Sequence, residues 1–184
     1  SHLKSPQRRP DHQRTTTAPS NRPADRITCT LDPSSTTTPP CIFDPTLNGW
    51  IPPACHNTPL ATSALRNDTL LARLQAAGPF QWYTDLDHSI PISTADLPAY
   101  LTSPEGNMTA HTIEKWHVAH CLYVWRLGNE ALRRAAEGER GVYVNARVLS
   151  EEHVGHCNEV VASQGYRVGA KAVVQFGVNE CVRI

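Results

Sequence analysis

Two copies of one short motif, His-x-x-His-Cys, hold the residues best suited to chemistry in this sequence. Residues three and four apart on a helix lie about 60° and 40° apart around its axis, so each copy projects its side chains from one helix face. Imidazole pairs at this spacing can chelate a single metal ion. The candidate ligands are His117, His120 and Cys121 in the first copy and His153, His156 and Cys157 in the second.

Two motifs that face each other would offer four neutral imidazole nitrogens. Such ligands suit copper, zinc or iron far better than magnesium or calcium, which prefer oxygen ligands. A structural zinc site usually recruits cysteines in closely spaced pairs. Because histidine dominates here, the pattern favours a reactive site over a structural one.

The six cysteines allow two interpretations of the motifs. Cys121 and Cys157 could be thiolate ligands, or they could form a disulfide that ties the two helices together. A free thiol beside a redox metal and oxygen is prone to oxidation, so we favour the disulfide. The other four would then pair among themselves, and of three connectivities we choose Cys41–Cys55 and Cys29–Cys181.

The first motif lies in a segment with a helical pattern. Apolar residues recur at spacings of three and four between about Ala110 and Glu137, which predicts a long helix. Thr109 or Thr112 can cap its start, and Gly128 is expected to interrupt it.

The second motif follows an extended segment. Val142–Val148 is rich in β-branched residues and is predicted to be a strand, and Ser150 is a good N-cap for a second helix. A helix from His117 to Glu137 rises about 30 Å, and ten extended residues can return about 33 Å. The two motifs can therefore meet.

The rest of the chain is divided by its prolines. All 15 lie at or before Pro104, so the first part should be loop-rich and the second can hold long elements. We predict a fold of the α+β class, mainly helical, with a disulfide-stapled N-terminal half, two facing motif helices and a short C-terminal β-hairpin. The smaller predicted elements are a helix over Thr62–Ala77, an extended Phe80–Thr84, a helical turn or two in Ser93–Leu101, and the hairpin in Tyr166–Ile184.

Composition limits the classes of function and location. A formal net charge of zero gives no argument for nucleic-acid binding. We predict that residues 1–28 form a disordered, basic, Pro-rich leader and that residues 29–184 form one domain. Paired cysteines and the sequons at Asn67 and Asn107 predict a glycoprotein of the secretory pathway. No run approaches the roughly 18 apolar residues of a membrane helix, so we expect a natural signal or anchor segment to have been removed.

The motifs and their surroundings resemble those of the UstYa-like family of fungal secondary-metabolism proteins. The likeness is carried by Trp116–Arg126 and Glu152–Cys157, and by the upstream block Cys-x-Phe-Asp…Gly-Trp-Ile-Pro-Pro-x-Cys within 41–55. Family members typically have one N-terminal membrane helix and a lumenal domain. They are associated with oxidative tailoring of peptides and other natural products by cyclisation, hydroxylation, dehydrogenation and halogenation.

The resemblance implies a copper enzyme that uses O2 to oxidise a small-molecule or peptide substrate. It assigns metal binding and catalysis to His117, His120, His153 and His156. Trp116, Tyr123 and Trp125 flank the motifs and either line the pocket or pack the core. The tail after Cys157 has no counterpart in the family pattern. The alternatives are a metal-free cyclase or isomerase with acid–base histidines, and a non-catalytic module with structural zinc; homodimerisation stays open.

Overall fold

A computed structural model of the protein describes residues 25–66, 80–163 and 170–184. Most of the predicted leader, the sequon at Asn67 and the end of the helix predicted over Thr62–Ala77 lie outside these ranges. None of the helices described there is long and apolar enough to cross a membrane. The helices are α1 (Thr58–Arg66), α2 (Leu97–Leu101), α3 (Lys115–Ala136) and α4 (Glu151–Ala162), with 3-10 turns at Pro45–Leu47, Pro53–Cys55 and Ala146–Leu149.

Short strands complete the α+β fold, which confirms the predicted class. Within the described ranges they form three sheets, in the orders β1-β10-β7, β2-β3-β9 and β5-β4-β6-β8. All pairs are antiparallel except β3 with β9. The strands are β1 (Arg26–Ile27), β2 (Ile42–Asp44), β3 (Gly49–Ile51), β4 (Trp82–Tyr83), β5 (Pro91–Ile92), β6 (Thr109–Ile113), β7 (Tyr143–Asn145), β8 (Lys171–Gln175), β9 (Gly177–Val178) and β10 (Cys181–Arg183).

Helix α3 carries the first motif and starts later than its sequence pattern predicts. The segment from Thr109 to Ile113 is strand β6, which pairs along its whole length with β8. Its β-branched residues suit a strand, and the Thr112 hydroxyl donates a hydrogen bond of 2.9 Å to the Gln81 carbonyl. The prediction that Thr109 or Thr112 caps the helix is therefore wrong; Glu114 occupies the N-cap, and its side chain makes no capping hydrogen bond.

The expected interruption at Gly128 is also wrong, because α3 continues through it to Ala136. A Cβ atom at Gly128 would lie 2.6 Å from the Cγ1 atom of Val148. The glycine thus lets the Ala146–Leu149 turn pack closely against the helix. This contact holds the segment that leads into the second motif.

Helix α4 carries the second motif and begins as predicted. The Ser150 hydroxyl accepts a hydrogen bond of 3.2 Å from the backbone N–H of His153, which confirms the N-cap. The preceding segment is a strand only over Tyr143–Asn145 and then forms the 3-10 turn. The last strands form the hairpin-like region predicted for Tyr166–Ile184, and their backbone partners are the earlier strands β6, β3, β7 and β1.

One disulfide lies within the loop-rich half of the chain and a second links that half to strand β10, in a connectivity that differs from the prediction. Cys29 pairs with Cys41, and Cys55 pairs with Cys181. The predicted pairs Cys41–Cys55 and Cys29–Cys181 are therefore wrong. The reason is the topology: β10 lies beside β7, which packs on the Pro53–Cys55 turn, and so brings Cys181 to Cys55.

Two apolar clusters lie on either side of the first motif. One contains Tyr123, Val124 and Leu127 of α3 with Leu47 and Ile51, all buried. The other is aromatic and places Trp50, Trp82, Trp116 and Phe176 together, with Trp82 packed edge-on against Trp116 at 5.7 Å between ring centroids. The N-terminal turn of α3 is thus fixed by packing rather than by a cap.

Candidate metal centre

The four histidines of the two motifs face one another in two pairs. The Nε2 atoms of His117 and His156 lie 2.9 Å apart, and those of His120 and His153 lie 3.3 Å apart. The register is antiparallel, with the start of α4 beside His120. Within each pair the two imidazoles turn their Nε2 atoms toward each other, so the two motif helices face each other as the sequence predicted.

His120 is the most firmly held of the four. It is 4 % exposed, and its Nδ1 atom lies 2.7 Å from the carbonyl oxygen of Thr46, to which it donates a hydrogen bond. This bond places the proton on Nδ1 and leaves the Nε2 lone pair directed at His153. The Trp116 ring stacks on the imidazole at 5.1 Å and 16°. Metal-binding histidines commonly have such a carbonyl partner on their second nitrogen.

Three of the imidazoles are held neutral by their surroundings. Burial lowers the pKa of His120 to about 3, with Arg147 and two neighbouring histidines adding to the effect. Burial also lowers the pKa of His117 and that of His153. Neutral imidazole is the form that binds metal, so these three side chains could bind a metal at neutral pH without losing a proton.

Cys157 adds a sulfur to the inner pair. Its Sγ atom and ligand nitrogens of His120 and His153 all lie within 4.8 Å of one another, and Cys157 is fully buried. The expected disulfide between Cys121 and Cys157 is absent: both are buried free thiols. A hydrogen bond to Cys157, together with burial, raises the pKa of Cys121 far above its usual range, so Cys121 is a neutral donor. Of the two interpretations of these cysteines, a disulfide or metal ligands, the structure is compatible with Cys157 as a ligand.

A cavity of about 220 Å³ opens onto the histidines. Trp116 lines it, as the resemblance allows, whereas Tyr123 lies in the core and Trp125 lines a separate apolar groove of about 350 Å³. The cavity residues are Asn48, Trp116, His117, His120, Arg147, His153, His156 and Ala172 to Gln175.

Asp44 fixes the turn that orients His120, and sequence reasoning missed this residue. This buried carboxylate caps the 3-10 turn by accepting hydrogen bonds from the backbone N–H groups of Thr46 and Leu47, at 2.9 and 3.3 Å. It also accepts the Tyr123 hydroxyl at 3.1 Å. Asp44 thereby holds the Thr46 carbonyl that orients His120. An Asp directly before Pro is a known cap signal and could have identified it.

Replacing Asp44 by Ala is expected to lower the free energy of unfolding by about 3 kcal/mol. The change removes an N-cap and leaves the buried Tyr123 hydroxyl without its acceptor, and each loss costs about 1–2 kcal/mol. Urea denaturation followed by tryptophan fluorescence measures the effect. Asp32→Ala is the matched control, because Asp32 also accepts local hydrogen bonds but is exposed. Equal losses in the two variants would contradict the supporting role of Asp44.

The second sequon lies in the described part of the chain. Asn107 is exposed, with a φ of 42° in the turn before β6. Its side chain is therefore accessible to the modification that the sequence predicts.

Together, the fold and the centre define a disulfide-linked α+β protein with facing histidine pairs between two helices. Two proteins of Diaporthe leptostromiformis are similar to the chain, the phomopsin biosynthesis cluster proteins B and B′. Each is 25% identical in an alignment over 152 residues that covers 80% of this chain and 41% of the relative. The chain is thus a distant relative of fungal biosynthesis-cluster proteins and spans about two fifths of their length. No family model and no solved structure matches it.

Proposed function

We propose that this chain is the catalytic domain of a copper-dependent enzyme for oxidative tailoring in fungal natural-product biosynthesis. The observation that carries the proposal is the pairing of imidazoles across the two helices, with Nε2 atoms 2.9 Å apart in His117–His156 and 3.3 Å apart in His120–His153, and with Cys157 beside the second pair. Imidazole nitrogens that face each other this closely, with a thiol beside them, form a donor set for a late first-row metal.

His120 and His153 would hold the metal, with His117, His156 and Cys157 as the further ligands. The donor set fits the group: it contains nitrogen and sulfur atoms but no carboxylate, which suits copper and zinc and disfavours magnesium and calcium. The Thr46 carbonyl has already selected the tautomer that His120 needs. Bound copper would supply one-electron redox chemistry and reactivity with O2.

The protein residues bind the substrate and shield the site. One side of the centre is closed by the buried Trp116 ring, and the far side by the Pro45–Leu47 turn. The outer pair is more open, because His156 is exposed. A substrate would therefore approach from the side of His117 and His156.

The distant relatives support the biological setting. Their names place them in the phomopsin biosynthesis cluster. We infer from this similarity that the chain acts on a peptide or another small metabolite, by cyclisation, hydroxylation, dehydrogenation or halogenation. The two disulfides support a location in the secretory pathway, where such bonds persist.

A zinc site is the second candidate, because the same three side chains could hold it. Zinc also accepts imidazole nitrogens and thiolate sulfur, and it would make the centre structural or hydrolytic. The metal itself distinguishes the two proposals.

Elemental analysis of the purified protein, with electron paramagnetic resonance and ascorbate-driven O2 uptake, tests the proposed function. We expect about one copper per chain, a Cu(II) signal with nitrogen couplings, and O2 uptake that chelation abolishes. The double variant His120→Asn/His153→Asn should lose all three signals while keeping its circular dichroism spectrum. Tightly held zinc without O2 uptake would support the second candidate, and a protein that binds no metal would contradict both.

A further inference from the structure

We propose that Arg147, held in place by Asn48, binds a carboxylate group of the substrate beside the paired histidines. The carboxylate site stands on the geometry of these residues. That the carboxylate belongs to the molecule being oxidised rests on the proposed function.

Arg147 shares the cavity with all four histidines. It lies in the Ala146–Leu149 turn directly before α4, and it is close enough to His120 and His153 for its charge to lower the pKa of both. The guanidinium is thus a fixed positive charge at the edge of the metal centre. A group bound to it would lie next to the histidines.

The charge of Arg147 is only partly compensated. The side chain is half-buried, and burial lowers its pKa; across residues 25–66, 80–163 and 170–184 no carboxylate forms an ion pair with it. Its recorded side-chain partner is a neutral amide, since Nη1 donates to the Oδ1 atom of Asn48. Removing a charge from water without an opposite charge is costly, so the arrangement favours an anionic ligand.

Asn48 is itself fixed, which gives Arg147 a defined direction. Its Nδ2 atom donates a hydrogen bond of 2.8 Å to the Gln175 carbonyl, and its backbone, with a φ of 45°, ends the 3-10 turn at Leu47. The same turn carries the Thr46 carbonyl that orients His120. One short segment therefore positions both the innermost imidazole and the guanidinium.

The donor groups of Arg147 and Asn48 indicate that the anionic ligand is a carboxylate. A guanidinium presents parallel N–H donors that match the two oxygens of a carboxylate, and one bond to Asn48 leaves donors for it. A bound carboxylate would also offset the positive charge that a metal ion adds beside Arg147. The substrate class is then an amino-acid, peptide or other metabolite with a free carboxylate near the position to be oxidised.

Titration of the protein with N-acetylglycine tests the subsite. In metal-free protein, binding is monitored by NMR of the arginine Nε–H groups, and in copper-loaded protein by the electron paramagnetic resonance signal. N-acetylglycinamide, which is neutral, and sodium chloride at equal ionic strength are the probes for comparison. The variants are Arg147→Gln and Arg147→Lys. Arg133→Gln is the matched control, because Arg133 is exposed and pairs with Glu130 and Glu137.

N-acetylglycine should bind both forms, and Arg147→Gln should weaken its binding about 10- to 100-fold, as loss of a charged hydrogen-bond partner does. Arg147→Lys should show an intermediate loss and Arg133→Gln none. Equal binding of the amide or of chloride, or unchanged binding by Arg147→Gln, would overturn the proposal. If Arg147→Gln does not fold, the Lys variant and the amide comparison decide. Binding of N-acetylglycine to protein that takes up no copper would support the subsite and refute only the proposed function.

Discussion

Replacing His120 by Asn is expected to weaken copper binding at least about 100-fold. The Asn amide can take the place of Nδ1 and keep the hydrogen bond to the Thr46 carbonyl, but it lacks a nitrogen at the Nε2 position. The loss is large because His120 is buried and already in the tautomer that binds. Removing only the hydrogen-bond partner of a metal ligand already lowers metal affinity about 10–100-fold. Competition with a chelator of known affinity measures the change.

Three further variants make this result specific. His88→Asn is the matched control: His88 stacks on Tyr83, outside the cavity, and its φ of 60° is one that Asn tolerates. It should leave copper affinity unchanged. His156→Asn should cost less than His120→Asn, because His156 is exposed. Cys157→Ser should abolish any sulfur-to-copper absorption band if the thiol is a ligand. Equal affinities in the His120 and His88 variants would contradict the assignment of the inner pair.

Removal of the Cys55–Cys181 disulfide is expected to lower the free energy of unfolding by about 5 kcal/mol. The bond joins residues 126 apart in the sequence, and the entropy that a crosslink removes from the unfolded chain grows with the length of the loop. Stabilities of single domains are about 5–15 kcal/mol, so the double variant Cys55→Ser/Cys181→Ser should be close to unfolding. Guanidinium denaturation followed by circular dichroism measures the loss.

The other disulfide provides the comparison. Cys29 and Cys41 are 12 residues apart, and the same argument gives a loss of about 3 kcal/mol for Cys29→Ser/Cys41→Ser. The Cys29→Ser/Cys41→Ser variant should therefore remain folded. A smaller loss for the long loop than for the short one would contradict the entropic account.

The sequence predicted the two facing motif helices better than the elements around them. Identical spacing in the two motifs was enough to predict their helical faces, because three- and four-residue spacing is a local property of the helix. The start of α3 was mispredicted for the opposite reason. The segment Thr109–Ile113 fits a helical pattern, but it pairs with Lys171–Gln175, some sixty residues later, and this distant contact decided its structure.

Long-range contacts also account for what the sequence could not show. Disulfide connectivity depends on which strands become neighbours, so the four cysteines alone left three choices. Arg147 carries no signal of its own apart from its place before the second motif. It became a candidate because the turn at Asn48 folds against it, 99 residues away.

The long disulfide also has a consequence for the order of events during synthesis. Cys41 can join Cys29 soon after both emerge, but Cys55 must wait for 126 further residues, or about 6–25 s of translation. Cys121 and Cys157 emerge during this interval and are free to react with Cys55 before they are buried. Such a mispaired bond would pull a motif helix away from its partner, and thiol exchange would be needed to release it. Cells that produce this protein in quantity should therefore depend on a disulfide isomerase to bring the two motif helices together.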